Sequence, residues 1–351
     1  MIDILVPFLM SFIDKKIILE RNIPFLELNR GWKMNNRKNI YGNIVHCESE
    51  IIDSGRSYAN KNIYISRCSF SRFLLYVGDG GVIYVNVGDI NVNSSELMFN
   101  NCSCSGTGGA MYFNSKEVVL KFICSFKCKA SNSHFAYLGV SQSNFVDFLS
   151  ISSCSDQENG NLCIFLKNGN QKFSSTNSTM NKANSDSSIL FGYPASFSCS
   201  FCTISKNCVL DAVCVNFQAS NGVMSFSNII GNNSPSRYGV VHVSSGSTQK
   251  IHFCIFASNQ NTLFDTYSNS LEVSHSFISH NERFSSRVAV LTANNNSFIA
   301  YDTYGLEYFG SYYCNVENPI DFHLPKITIP CYKFSFMFGI FLLPFIICFL
   351  I

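Results

Sequence analysis

Charged residues are scarce in this chain. Lys, Arg, Asp and Glu together make up 14% of its 351 residues, against about 25% in an average globular protein. The formal net charge is only +2, and no cluster of Lys and Arg is interleaved with aromatic residues. A nucleic acid is therefore not expected as a partner, and the surface must be covered largely by Ser, Asn and Thr.

Motifs for catalysis and phosphate binding are also missing. The sequence has no GxSxG elbow and no P-loop, and its Gly-Gly pairs do not extend to GxGxxG. Hydrolysis of a glycosidic bond needs two carboxylates about 5–9.5 Å apart, but the aspartates form no DD or DxD pair. Asp79 and Asp89, which flank the first Gly-Gly segment, are interpreted as turn residues. We predict a protein that is not an enzyme and has no catalytic residues.

Metal-binding patterns are incomplete. Cys199-x-x-Cys202, followed by Cys208 and Cys214, resembles half of a zinc site, but a second knuckle at zinc spacing is missing. The seven histidines form no HxxxH or HxH pair. We therefore predict no metal and no cofactor. The sixteen cysteines fall below the roughly 8–10% of a disulfide scaffold and are interpreted as packing residues, with their disulfide pairing left open.

The only long apolar run lies at the C-terminus. Residues 334–351 carry no charge, and as a helix they would cover roughly 27 Å, close to the thickness of a bilayer core. We predict a transmembrane helix that contacts membrane lipid. A single-pass anchor, a cleaved lipid-anchor signal and a tail anchor on an intracellular protein compete as explanations. We favour a single-pass protein at the cell surface, although Lys326 and Lys333 would place the preceding domain in the cytosol.

The N-terminal region, residues 1–59, differs in composition and is predicted to be a cap. Residues 4–13 resemble the apolar core of a signal peptide spanning 1–13, although no basic residues precede them. The alternative is an N-terminal strand. Five N-x-[ST] sequons are candidate N-glycosylation sites and are compatible with a secreted domain. They begin at Asn93, Asn101, Asn177, Asn232 and Asn295.

A repeat dominates the region between residues 60 and 300. GGVIYVN at 80–86 returns as GGAMYFN at 108–114. Short apolar segments recur about every 26 residues, at 82–85, 110–113, 135–138, 162–165, 189–191, 212–215, 240–243, 263–264 and 288–290. A fixed period of this length indicates a solenoid.

A second series runs in step with the first. An apolar residue, two spacers and a Cys or Asn close a strand-like stretch in most units, and we predict that these Cys and Asn residues share one turn position. They are Cys68, Cys102, Cys128, Cys154, Asn184, Asn207, Asn232, Asn259 and Asn281. Cys128 and Asn184 have less regular lead-ins, and the first interval, at 34 residues, exceeds the mean near 27.

The two series predict an all-β fold, a right-handed parallel β-helix of about nine rungs at residues 60–300. Apolar residues alternate with polar ones, as in IHFCIFASN, where Ile251, Phe253 and Ile255 are expected on one face. No amphipathic helix longer than two turns is visible in this region, and parallel crossovers are right-handed in almost all cases. Residues 301–333 are expected to form a C-terminal cap and juxtamembrane linker.

Stacking gives the turn residues a structural interpretation. Cys102, Cys128 and Cys154 are 26 residues apart and should lie above one another. Cys would pack there as a small apolar side chain, and neighbouring rungs are close enough for a disulfide without requiring one. Asn further along the chain tolerates the left-handed conformation and can bond to its neighbours.

The repeats resemble those of a known family. GGVIY and GGAMY, with FASN and other apolar-x-x-Asn closures, resemble the GGA[ILV] and FxxN repeats of chlamydial polymorphic membrane proteins. They are also similar to the polymorphic-membrane-protein-like surface proteins of trichomonad parasites, which are β-helix ectodomains with a C-terminal membrane segment. The resemblance covers about 60–300 and the tail. It implies adhesion or host contact, but no binding residues carry over.

The function expected from the sequence is therefore a non-catalytic surface protein that binds a protein or glycan ligand on the flank of a β-helix. Two alternatives stay open. One is a carbohydrate-active enzyme, a polysaccharide lyase or hydrolase, on the same scaffold, and the other is a tail-anchored intracellular β-helix protein.

Overall fold

The computed structural model describes residues 40–47, 63–155, 160–218, 222–245, 249–266, 270–279, 283–284 and 290–294, and these residues form strands and no helix. The first ten strands are β1 (Ile40–Cys47), β2 (Ile63–Leu75), β3 (Ile83–Asn86), β4 (Asn91–Asn100), β5 (Ser103–Cys104), β6 (Met111–Phe126), β7 (Ala136–Ser152), β8 (Leu162–Lys167), β9 (Asn170–Thr179) and β10 (Lys182–Ala183). The next eight are β11 (Asp186–Gly192), β12 (Ser196–Ser200), β13 (Thr203–Ser205), β14 (Cys208–Val209), β15 (Val213–Gln218), β16 (Gly222–Ser225), β17 (Asn228–Ile230) and β18 (Asn233–Ser234). The last eight are β19 (Val241–Ser245), β20 (Gln249–His252), β21 (Ile255–Ala257), β22 (Gln260–Thr266), β23 (Ser270–Ser274), β24 (Phe277–Ile278), β25 (Arg283–Phe284) and β26 (Val290–Asn294).

Parallel pairing between successive turns makes the fold a β-solenoid of about eight turns, which confirms the predicted parallel architecture. Each turn contributes to three faces. Face A contains β3, the start of β6 and β7, then β8, β11, β15, β19, β22 and β25. Face B contains the start of β2 and β4, the middle of β6 and β7, the start of β9, then β12, β16, β20, β23 and β26. Face C contains the ends of β2, β4, β6, β7 and β9, then β13, β17, β21 and β24.

One edge of the solenoid is paired differently. Strand β1 runs antiparallel to β2, with Ile40 opposite Leu75 and Cys47 opposite Cys68. This pairing satisfies the outer backbone groups of the first turn, which would otherwise form an open strand edge. Strand β1 belongs to residues 1–59, the region predicted to be a cap.

The interior is apolar and rich in phenylalanine. Among the largest fully buried side chains are Phe99, Phe113, Phe191, Phe217 and Phe256. The rings contact one another between turns, as in the stacked pair Phe191 and Phe217 at 5.5 Å between centroids. Removing these rings from water is the main driving force for stacking the turns, at about 25 cal/mol per Å² of apolar surface.

The corner between faces B and C is built from one residue in the left-handed conformation in each turn. The φ angles of these residues lie between 49° and 56°. They are Arg67, Glu96, Phe122, Phe148, Ser175, Phe201, Phe226, Phe253 and His275. A bulky residue pays a penalty of about 1–3 kcal/mol in this conformation, yet it recurs here in successive turns. The bend itself therefore requires the conformation.

The Gly-Gly pairs form a different corner, just before face A. Gly80 and Gly108 have positive φ angles of 61° and 76°. A Cβ on Gly81 would overlap the carbonyl oxygen of Gly109, and one on Gly109 would overlap that of His134. The first glycine therefore supplies the backbone conformation, and the second allows two turns to approach closely. Each of these Gly-Gly pairs therefore marks a corner of the solenoid.

Some predictions change or lie outside the described residues. The last apolar segment, 288–290, was expected on the same face as the others, but Val290 begins β26 and pairs with Ser270 on face B. In the part of the chain that the structure describes, no helix is long and apolar enough to cross a membrane. The predicted signal peptide at 1–13, the linker at 301–333 and the transmembrane segment at 334–351 all lie outside the described residues.

Candidate functional site

The predicted turn position exists, but two of its members are wrong. It follows face C directly after a second left-handed corner, and its side chains point inward. Its described members, 25–29 residues apart, are Phe73, Cys102, Cys128, Cys154, Asn181, Asn207, Asn232 and Asn259. Cys68 instead lies within β2, in register with Leu97, and Asn184 follows β10. With Phe73 instead of Cys68 as the first member of the series, the first interval is 29 residues and no longer irregular. Asn281 lies outside the described residues.

The asparagines of this position form a continuous buried ladder. The backbone N–H groups of Asn181, Asn207 and Asn232 each donate to the Oδ1 of the next asparagine, at 2.9–3.1 Å. Each Nδ2 donates to a face C carbonyl of the preceding turn, for example from Asn232 to Ile204 at 2.9 Å. Every amide therefore satisfies one backbone donor and one backbone acceptor at the corner, groups that would be costly to bury without partners.

The cysteines occupy the same position with weaker bonds. The thiol of Cys102 donates to the Phe70 carbonyl at 3.6 Å, and that of Cys128 to the Phe99 carbonyl at 4.0 Å. The two series join where the backbone N–H of Cys154 donates to Asn181 Oδ1 at 2.9 Å. Burial, reinforced by the neighbouring thiol of Cys128, raises the pKa of Cys102 and Cys154 well above the usual value. The thiols of Cys102 and Cys154 are therefore neutral structural groups.

The incomplete zinc motif is dispersed in the fold. Cys199 and Cys202 are buried with sulfur atoms 3.7 Å apart, while the Cys214 thiol donates to backbone carbonyls. Among the described residues, no group of three or more His, Cys, Asp or Glu side chains could hold a metal ion. Cys68 and Cys124 each take part in a disulfide bond.

The structure separates the candidate glycosylation sites into two groups. Asn93, on the outside of face B, and Asn101, at a corner, are exposed. Asn177 is 6% exposed and Asn232 is fully buried in the asparagine ladder. A glycan on Asn232 would remove an Nδ2 donor from the core, so these two sequons are incompatible with modification in the folded state. Asn295 lies outside the described residues.

The arrangement closest to catalytic chemistry among the described residues is a buried contact between a histidine and an aspartate on face A. Nδ1 of His242 lies 3.0 Å from a carboxylate oxygen of Asp265, and the two side chains are 7% and 0% exposed. A substrate must reach a catalytic acid or base directly or through one water, and these groups are almost inaccessible. Asp79 likewise has a structural contact, because its carboxylate accepts the backbone N–H of Thr107 in the next turn.

The outer row of face A contains one outward-pointing residue from each successive turn. Its first four members are aromatic, its fifth is a leucine and its last three are polar. In order they are Tyr84, Tyr112, Tyr137, Phe165, Leu190, Asn216, His242 and Asp265. Tyr84 is 40% exposed, whereas Leu190, Asn216, His242 and Asp265 are all buried. The aromatic part is therefore the part that reaches solvent.

We call Tyr84, Tyr112, Tyr137 and Phe165, with Asn86 and Asn114 beside them, the tyrosine strip. The tyrosine rings stack with centroids 5.0 and 4.8 Å apart, and Phe165 meets Tyr137 edge-on at 5.4 Å. Asn114 donates to Asn86 at 2.7 Å, and Asn86 donates to the Tyr84 hydroxyl at 3.1 Å. Because each ring covers the next, the strip presents ring edges, hydroxyls and amides to solvent.

Two glycines leave space for rings of the strip. Tyr137 is followed two residues later by Gly139, where a Cβ would meet the tyrosine ring, and Gly192 makes the same space for Phe165. The strip was not recognised in the sequence as a surface. A signal was present, because the tyrosines of GGVIY and GGAMY are 28 residues apart and Tyr137 follows 25 residues later.

No protein-family model matches this chain, and comparisons with curated proteins and with solved structures give no significant match. The resemblance to polymorphic membrane proteins therefore stays a prediction from short motifs. The parallel β-solenoid is the part of that prediction which the structure supports.

Proposed function

We propose that this protein is a non-catalytic, ligand-binding β-solenoid, displayed at a cell surface and held there by residues 334–351. The observation that carries the binding role is the tyrosine strip, a row of accessible aromatic and amide side chains repeated at the spacing of the turns. Large accessible aromatic side chains with polar atoms are typical of recognition surfaces.

Three further observations support the placement at a cell surface. The C-terminal run has the length and composition of a membrane anchor. Two of the sequons, Asn93 and Asn101, are exposed and so open to modification. The repeat motifs resemble those of surface proteins, which implies adhesion.

Two experiments test this function. On intact expressing cells, the solenoid should be cleaved by added protease, and a glycosidase should shift the mobility of the full-length chain through Asn93 and Asn101. The purified chain should bind target cells saturably. Complete protection from protease would contradict the surface location, and an absence of saturable binding would contradict the ligand-binding role.

A further inference from the structure

The tyrosine strip has a chemical character that restricts its ligand. Its six side chains carry no charge at neutral pH. Burial, together with the neighbouring Tyr137 phenol and the Asp79 carboxylate, raises the pKa of Tyr112 and keeps that phenol protonated. The hydroxyls of Tyr112 and Tyr137 form no hydrogen bond with other described residues. The strip therefore presents neutral hydrogen-bonding groups beside apolar ring edges.

The spacing of the strip restricts the ligand further. Equivalent groups repeat every 4.8–5.0 Å along the solenoid axis, as the ring centroids show. An extended peptide advances about 3.3 Å per residue and repeats on one side every two residues, so it falls out of step with this spacing. A hexose unit of an extended polysaccharide is about as long as one turn of the solenoid. Successive sugars would therefore lie beside successive turns, and in a β-1,4-linked chain every second sugar presents the same edge to the strip.

We propose that the tyrosine strip binds an uncharged, unbranched glycan that lies parallel to the solenoid axis, with about one sugar unit per turn. The hydroxyls of Tyr112 and Tyr137 and the amide of Asn114 exchange hydrogen bonds with sugar hydroxyls, while the ring edges contact the apolar C–H groups of the sugars. This inference rests on the proposed ligand-binding function and specifies its ligand class.

Face B offers a contrasting surface that serves as a control. There the ammonium groups of Lys121 and Lys172 each lie 5.3 Å from the centre of the Phe145 ring. Such a site would favour an acidic polymer, and its binding would weaken with salt. Binding at the tyrosine strip has no ionic component and should be nearly independent of salt.

The test uses the purified full-length chain and neutral oligosaccharides of two to eight units, namely β-1,4-linked glucose and N-acetylglucosamine series and α-linked mannose, with heparin fragments as the acidic comparison. In calorimetry, affinity for one neutral series should rise with each unit to about four units and then level off. Doubling the salt concentration should change that affinity less than twofold.

Variants locate the site. Tyr112→Phe combined with Tyr137→Phe keeps the ring stack and removes only two hydroxyls, so it should fold normally and bind at least tenfold more weakly. Phe226→Leu, which disturbs a different aromatic stack at the B–C corner, should leave affinity unchanged. Lys121→Gln with Lys172→Gln should also have no effect.

Three results would overturn the proposal: no binding to any neutral series, binding that the tyrosine variants do not change, or binding restricted to heparin and lost in the lysine variants. If the chain still binds target cells but neutral oligosaccharides do not compete, the ligand class is wrong and the ligand-binding function stands. If cell binding is absent as well, the proposed function fails with it.

Discussion

The two halves of the solenoid solve the same corner with different side chains. From Cys102 to Cys154 the inward turn position holds thiols, each a single weak donor, and from Asn181 to Asn259 it holds amides that both donate and accept. The aromatic residues in the outer row of face A, which are exposed or half-buried, lie in the first half, and the fully or nearly buried members of the same row lie in the second. The backbone therefore follows the same path in both halves of the solenoid, while the side chains at the inward turn position and in the outer row of face A change.

The largest effect is expected in the first half, where the Gly-Gly corners pack directly against the backbone of the next turn. Gly109→Ala would place a Cβ against the backbone oxygens of His134 and Lys129 in the next turn. Backbone cannot move aside as a flexible side chain can, so we expect the free energy of unfolding to fall by more than about 4 kcal/mol. Chemical denaturation would measure it. Gly88→Ala, whose Cβ meets nothing within 4 Å, is the matched control and should be neutral.

The next effect lies at the start of the second half and depends on pH. Burial raises the pKa of Asp186 from 3.8 to about 7, although a hydrogen bond from Asn216 partly opposes it. A carboxyl whose pKa is raised by folding destabilises the protein above its unfolded pKa. This cost is absent below about pH 3.8 and complete above about pH 7. Asp186→Asn should therefore stabilise the protein at pH 8, by at most about 4 kcal/mol.

Denaturation curves for Asp186→Asn at pH 4 and pH 8 test this prediction. The gain should be present at pH 8 and almost absent at pH 4. Asp211→Asn, which removes an exposed carboxyl in the same turn, provides the control. An equal effect of Asp186→Asn at both pH values would show that the buried carboxyl does not carry the penalty.

The asparagine ladder should be more sensitive to truncation than the thiol series. Asn232→Ala leaves the N–H of Asn207 and the carbonyl of Ile204 without partners in the core. We expect a loss of about 3 kcal/mol, against about 1 kcal/mol for Cys128→Ala, which removes one weak donor and a small side chain. Equal losses in thermal or chemical unfolding would mean that the two halves do not differ in this respect.

A smaller effect is expected at the B–C corner. Phe226 combines a positive φ of 49° with stacking on Phe201 and Phe253 at 5.3 and 5.1 Å. Both Phe226→Ala and Phe226→Gly lose the stack, but glycine also relieves the backbone strain. The glycine variant should therefore be more stable by about 1 kcal/mol, the reverse of the usual order in strands. A more stable alanine variant would contradict the corner geometry.

The period of the repeat was sufficient to predict the parallel solenoid. When turns stack on one another, similar residues recur at the same position in each turn, and this recurrence is visible in the sequence. The exact position within the turn was harder to predict. Ile251, Phe253 and Ile255 were expected on one face, but Phe253 is a left-handed corner residue with φ 53°. The fully buried side chains of this stretch are those of Ile251, Cys254 and Phe256. A residue in the left-handed conformation interrupts the alternation of inward and outward side chains. Because the residue here is neither Gly nor Pro, the sequence does not reveal the bend.

The same interruption explains the errors at the turn position. The stretch Ile65-Ser-Arg-Cys68 matches the closing pattern but spans the B–C corner at Arg67, whereas the true closure is Phe70-Ser-Arg-Phe73. The tyrosine strip was missed because strand alternation shows that Tyr84 and Tyr112 share a face but not that the face reaches solvent. Exposure depends on what the rest of the chain covers.

The central claim is that thiols and amides occupy one equivalent position in successive turns from Cys102 to Asn259. Replacing Cys102, Cys128 and Cys154 together by Asn should extend the ladder into the first half, because each new amide meets a carbonyl and a backbone N–H at the spacing found between Asn181 and Asn259. Denaturant unfolding should then show an unchanged m value and a free energy of unfolding equal to or above that of the parent chain. A loss of several kcal/mol, larger than that of the corresponding triple alanine variant, would contradict the claim.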